Sequence, residues 1–382
     1  MCAHVRRRAR GRAEPGLTFV RRSLRSPSMR PQRMGVAIVS PALRAANNGN
    51  WRTAYRWSRF LRPRFDVEVC SEWETRTSPQ CLIALHARRS AEAVSRHADA
   101  CPDFPRVVVL TGTDLYRDLP ADRAARRSLD LATHLVVLQE AALDALEPSH
   151  RIKCRVIYQS APRLAPGTRR TRTFDVVLVG HMRAEKDPAT PMRAITRLPA
   201  DSNARLIHVG DALSDDYAQA ARELTNRAWP SVQRYQWLGN LAHSKTRRRI
   251  RDAHAMVISS VMEGGANVIV EAVTCGVPVL ASQVPGNVGM LGRDYAGYFP
   301  PGDDEALARL IDRASRDADF LLHLRNQCAL RGPLFDPARE SDEVNRLVND
   351  ALSERGLHAH GGDQRQETRR VRSNEPEREE AQ

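Results

Sequence analysis

From Met34 onward, short runs of β-branched and aliphatic residues alternate with longer segments of helical period, and this happens in two series. Such alternation marks parallel βα units, in which each strand is buried on both faces and each connection is long enough to hold a helix. In the first series the candidate strands are 36–40, 65–70, 81–85, 106–110, 135–138 and 155–158, with helices predicted over 50–61 and 90–100. In the second they are 174–179, 205–209, 232–238, 255–258, 277–280 and 297–300, with helices over 188–198, 215–227, 245–253, 266–275, 303–316 and 320–330. Between the series, residues 161–173 (APRLAPGTRRTRT) break both periods and read as a linker. The pattern predicts an α/β protein of two doubly wound domains, 34–160 and 174–336, facing across an interdomain cleft. Open sheets of this kind bind ligands at the carboxyl ends of their strands. Asp336-Pro337 caps a last helix, 337–352.

The chain has 382 residues and a formal charge of +14, carried almost wholly by arginine, since Lys153, Lys186 and Lys245 are its only lysines. Ten of the arginines fall in residues 1–33 against the single acid Glu14, so the body is only mildly basic. That segment reads as a disordered basic extension: a transit-like or nucleic-acid-binding arm, or an initiation site placed too far upstream. The charged tail, 353–382, also reads as disordered. The seven cysteines stand at least eleven positions apart without a CxxC, which argues against structural zinc and for buried thiols in a reducing cytoplasm. No apolar run approaches the ~20 residues of a membrane helix. The expectation is a soluble cytoplasmic protein with no metal, no cofactor, no nucleic acid and no stable membrane association.

Chemistry concentrates at the strand ends of the second series. In Ser259-Ser260-Val-Met-Glu263-Gly264-Gly265-Ala266-Asn267-Val-Ile-Val-Glu271, a buried strand runs into a polar loop, a Gly-Gly pair and a helix start. The glycines admit close approach to backbone N–H groups, and the helix turns its positive end to the cleft. Glu263 and Glu271, eight residues apart, are placed to accept hydrogen bonds from two different sugars. Solvated acids on an ordinary strand–loop–helix turn are the alternative. After the first strand, Gly180-His-Met-Arg183-Ala-Glu-Lys186 brings a guanidinium and a rare lysine to one loop, suited to a diphosphate or to plain solvent exposure.

Together these segments resemble the family 4 glycosyltransferases, whose two-domain fold is called GT-B with Rossmann-like halves. The resemblance implies that Arg183 and Lys186 hold a donor diphosphate, that Glu263 and the backbone of Gly264, Gly265, Ala266 and Asn267 meet the donor sugar, and that Glu271 meets the ribose. It also sets Gly210 and Trp237 at the base pocket, where a turn glycine and a core aromatic are the competing readings. In the first domain, Gly49-Asn50-Trp51-Arg52, Leu85-His86-Ala87-Arg88-Arg89 and Thr111-Gly112-Thr113-Asp114-Leu115-Tyr116-Arg117 all lie at strand carboxyl ends. With Pro285-Gly286-Asn287-Val288-Gly289 they look like the selenosugar synthases of selenoneine biosynthesis, a branch of family 4, and the likeness runs from Met34 to about Leu352. The departures are the front extension, the tail and Asn47-Asn48.

That likeness implies transfer of glucose or N-acetylglucosamine from a UDP-sugar to selenophosphate, with functional links to selenophosphate supply and the next enzyme of the pathway. Residues 34–160 would be the acceptor domain and 174–336 the nucleotide-sugar domain. The residues themselves agree with an anionic acceptor: Asn50, Arg52, His86, Arg88, Arg89, Thr111, Gly112, Thr113, Asp114 and Arg117 are the candidate acceptor contacts. Solvated helix faces remain open for Arg89 and Arg117, and a core histidine for His86. The catalytic candidates are Arg183, Lys186, Glu263, His86 and Asp114, with leaving-group charge borne by the two cations and the helix start. Two further functions compete: a family 4 transferase using a hydroxyl acceptor on a glycan or lipid, and a nucleic-acid-binding protein working through the basic arm.

Overall fold

The computed structural model describes residues 33–43, 49–74, 78–230 and 232–356. The expected disordered segments, 1–33 and 353–382, lie almost wholly outside these residues, as does Asn47-Asn48.

The first domain runs β1 (Gly35–Val39), α1 (Gly49–Leu61), β2 (Asp66–Cys70), β3 (Cys81–Leu85), α2 (Ala91–Ala100), β4 (Arg106–Leu110), α3 (Arg123–Leu131), β5 (His134–Val137), α4 (Pro148–Arg151) and β6 (Cys154–Val156). Its strands form one parallel sheet in the order β2-β1-β3-β4-β5-β6. Because side chains alternate along a strand, the sheet sorts its apolar residues into two layers. Val36, Ile38, Ile83, Val107 and Val109 pack with Trp57 and Leu61 of α1. Ala37, Val39, Leu82, Val108 and Val137 pack with Val94 of α2 and Leu129 of α3.

The second domain runs β7 (Phe174–Val179), α5 (Ala189–Thr196), β8 (Ala204–Val209), α6 (Asp215–Asn226), β9 (Tyr235–Trp237), α7 (His243–Asp252), β10 (Ala255–Ile258), α8 (Asn267–Thr274), β11 (Val279–Ser282), α9 (Pro285–Leu291), β12 (Tyr298–Phe299), α10 (Asp304–Arg316) and α11 (Ala318–Arg331). Its sheet, also parallel, is ordered β12-β11-β10-β7-β8-β9. The chain winds outward from β7 through β8 and β9, then returns to lay β10 on the other side of β7. The connections leaving β7 and β10 therefore diverge, and a crevice opens between them.

The last helix, α12 (Pro337–Ser353), returns to the first domain and buries Val344, Leu347, Val348 and Leu352 in its core. Glu340 fixes this return. Its fully buried carboxylate receives Arg56 Nε at 2.6 Å and Nη2 at 2.9 Å, Trp57 Nε1 at 2.8 Å, Ser160 N at 2.9 Å and Ser160 Oγ at 2.5 Å. A charge so deep is tolerable because every approach to it is a donor. The outgoing and returning chains also meet directly, Ala161 N donating to Phe335 O at 3.3 Å.

Candidate active site

At the second domain's switch point, Ser259 ties the two diverging loops: its Oγ donates to the carbonyls of Lys186, at 3.0 Å, and Asp187, at 2.8 Å. The loop after β7 ends in a 3₁₀ turn, Ala184–Lys186, and Asp187 closes it in the left-handed region at φ +41°. This turn aims Lys186 across at the other loop, where Nζ donates to Glu263 Oε1 at 2.5 Å. Ser260 Oγ donates to the same oxygen at 2.6 Å. The resulting crevice is bounded by Gly180, His181, Lys186, His208, Ser259 and Ser260. His208 is buried, and desolvation holds its pKa near 4, so it is neutral here and its Nδ1 accepts from Tyr235 OH at 2.9 Å.

Gly210 owes its identity to packing. Its φ is +149°, and a Cβ there would lie 1.9 Å from Gly180 O. Its carbonyl accepts Trp237 Nε1 at 2.7 Å, so these two residues form one unit at the crevice's end. Arg183 is about half exposed, its Nε 3.9 Å from Glu185 Oε2.

The Gly-Gly pair before α8 serves contact between the domains. A Cβ on Gly264 would sit 2.4 Å from Thr111 C and 2.5 Å from Gly112 N. One on Gly265 would sit 2.5 Å from Leu138 Cβ. The loop ends of the two sheets thus touch through bare backbone. Asn267 Nδ2 lies beside Gly49, one residue before Asn50 at the start of α1. One turn further along α8, the buried Glu271 accepts from His243 Nε2 at 2.6 Å. Arg52 of α1 faces Glu271 from the first domain; burial lowers its pKa, and the glutamate partly offsets that.

In the first domain His86 ends β3 at φ +74°, a strained conformation for a residue with a Cβ. Its Nδ1 accepts from Arg89 N at 3.3 Å, which leaves the proton on Nε2 to donate to Thr113 Oγ1 at 3.1 Å. Burial is the main cause of its lowered pKa, against the opposing charges of Asp114 and Asp118. Asp114 is fully buried, and its oxygens accept from Ala87 N at 2.9 Å, Thr111 N at 2.9 Å and Gly112 N at 2.8 Å. It shapes the two loops from behind instead of projecting into the cleft.

The four arginines among the candidate acceptor contacts, Arg52, Arg88, Arg89 and Arg117, are divided. The charged neighbours of Arg52 are Glu271 and Arg56. Arg88 instead meets Asp122 at 2.7 Å and Asp118 at 3.8 Å, and Arg117 meets Asp118 at 3.1 Å and Glu185, across the cleft, at 2.9 Å. Arg89 is exposed. The sequence reading passed over Asp118, Asp122, Glu185 and His243. The three acids each stand within five residues of a candidate arginine, or two in the case of Glu185, and that was the available signal. His243 gave none, being 28 residues from Glu271.

Residues 165–335 match the family model described as glycosyl transferases group 1. The structure is similar to that of HepE from Anabaena, solved in complex with UDP and glucose, with 18% identity, a TM-score of 0.64 and coverage of 84% of this chain and 100% of that one. It is also similar to sucrose-phosphate synthase from Thermosynechococcus elongatus, with 16% identity, a TM-score of 0.69 and coverage of 84% and 100%. A third is the lipopolysaccharide outer core galactosyltransferase WaaB in its apo form, with 14% identity, a TM-score of 0.62 and coverage of 84% and 100%. These likenesses give the fold as GT-B, two Rossmann-like domains. No curated protein matches the chain in sequence.

Proposed function

We propose that this chain, whose residues 165–335 form a glycosyltransferase group 1 domain, transfers glucose or N-acetylglucosamine from a UDP-sugar to selenophosphate. The observation that carries the donor half is the cluster Lys186–Glu263–Ser260 at the switch point, beside the start of α8. A diphosphate at the mouth of this crevice meets Lys186 and Arg183, while Glu263 accepts from sugar hydroxyls. HepE, similar in fold, was solved with UDP-glucose, which supports the same donor here.

In the reaction, selenium attacks C1 and forms the C–Se bond as the C1–O bond to the diphosphate breaks. The electron pair of that bond goes to the β-phosphate oxygen of departing UDP, where Arg183, Lys186 and the helix start stabilise it. Selenophosphate is already an anionic nucleophile, so no side chain has to remove a proton from it. The acceptor half rests on Arg88, Arg89 and Arg117 beside the His86–Thr113 loops, cations suited to a small phosphorylated anion. The neutral His86 keeps a proton on Nε2 that can be donated to a phosphoryl oxygen.

The direct test is mass spectrometry of products from purified protein given UDP-glucose or UDP-N-acetylglucosamine with selenophosphate. A hexosyl selenium compound formed together with UDP is the expected result. UDP release only with a hydroxyl acceptor would replace selenophosphate by a glycan or lipid, and no UDP release with any acceptor would overturn the donor assignment.

A further inference from the structure

We propose that His243 is a positioning residue for the nucleotide end of the donor, fixing Glu271 so that its carboxylate reads the hydroxyls of a ribose; this rests on the donor site proposed above. Glu271 projects from the second turn of α8, its side chain 9% exposed, and His243 is the first residue of α7, its imidazole 41% exposed above it. The 2.6 Å contact from Nε2 engages Oε1 alone. A glutamate side chain otherwise turns freely about its last torsion, and one strong donor anchored at a helix start fixes the carboxylate plane and directs Oε2 elsewhere.

What Oε2 can bind follows from its chemistry. A carboxylate only accepts, so it suits hydroxyl donors and repels phosphate. The neutral, hydroxyl-bearing part of a nucleoside diphosphate therefore belongs at Glu271, and the diphosphate at Arg183 and Lys186. Arg52 faces the same carboxylate from the first domain, a cation set beside the acceptor.

Calorimetry with UDP and 2′-deoxy-UDP on the full chain and on His243→Ala and His243→Gln tests this. Wild type should prefer UDP. The alanine variant should bind UDP roughly tenfold more weakly and lose the ribose preference, because an unfixed carboxylate gains little from either hydroxyl. Glutamine, which also carries an N–H at its tip, should restore most of both. Turnover at saturating donor should change less than the donor KM. If wild type binds no UDP, the donor site falls and this inference with it. If UDP binds but His243→Ala keeps wild-type affinity and ribose preference, the inference alone falls. It also falls if the variant weakens both nucleotides equally without rescue by glutamine, since His243 would then be structural.

Discussion

Gly264→Ala tests whether the backbone contact between the two domains is part of the working enzyme. The added methyl would lie 2.4 Å from Thr111 C, 2.5 Å from Gly112 N and 2.5 Å from Thr111 O, all backbone atoms. Carbon contacts are normally about 3.5–4.0 Å, so the loops must part by roughly 1 Å. Gly112 has no easy retreat, since its φ of +129° is already set by the turn before Asp114. Forcing such a fit costs about 1–3 kcal/mol, and here opening the cleft relieves it. At 2–3 kcal/mol the closed arrangement is depopulated roughly 30- to 150-fold, and kcat/KM should fall by that factor. UDP affinity, measured by calorimetry, should stay within about threefold, because Arg183, Lys186 and Glu271 all belong to one domain. The melting temperature should hardly move, since neither domain's core is touched. A variant with kcat/KM within about threefold of wild type would refute the reasoning, as would one that loses activity only because it unfolds.

Glu340→Ala should cost about 3–5 kcal/mol, because Arg56 is left largely buried without its partner; an unchanged urea midpoint would refute the role given to this carboxylate. Burial holds His97 and His208 near pKa 4, below the unfolded value of about 6.5, so the unfolded chain takes up protons first. Stability is therefore complete above about pH 6.5 and should decline towards pH 4, by up to about 1.4 kcal/mol per pH unit for each histidine, and a flat denaturation profile over that range would contradict it. Arg183→Ala should weaken UDP-sugar use by about 1.5–3 kcal/mol with the fold intact, and unchanged UDP binding would remove it from the donor site. Arg117→Ala should raise the selenophosphate KM more than the donor KM, and Glu185→Gln should lower it by releasing Arg117; opposite shifts would place the acceptor elsewhere.

The sheets were legible because parallel strands covered on both faces are written as uninterrupted apolar runs. Val107–Leu110 and Val176–Val179 can hardly be anything else. Helices with thin apolar faces were not legible: α3 (RAARRSLDL) buries only Ala125, Ser128 and Leu129. In α9 (PGNVGML) two glycines and a proline in seven residues leave no helical period to read. The glycines are there for close packing, since a Cβ on Gly286 would strike Glu263 O at 1.9 Å and one on Gly289 would strike Gln139 Oε1 at 1.7 Å. At α1 the periodicity marks Tyr55 as part of the inner face, yet it is exposed while Thr53 is buried. In the site, motif residues on one loop were readable as a group, but partners brought from other strands were not. His243 reaches Glu271, and Glu185 reaches Arg117, through the winding of the sheets, and no local pattern records that.

The charges around the cleft fall into two kinds, and the difference bears on the acceptor. Asp114 and Glu340 are buried and bound to fixed donors, so they hold the loops and the returning helix as a rigid frame. Arg88, Arg117 and Arg183 are each about half exposed; Asp118 holds Arg88 and Arg117 from a buried position, whereas Asp122 and Glu185 are met near solvent. Exposed pairs of this kind contribute about 0–1 kcal/mol, so exchanging them for another anion costs little. Glu185 stands between Arg117 of one domain and Arg183 of the other, at 2.9 and 3.9 Å. A small anion carrying more charge than one carboxylate can therefore replace Glu185 as the shared partner of both arginines. In the proposed reaction this draws acceptor and leaving diphosphate towards the same seam, the one closed by Gly264 and Gly112.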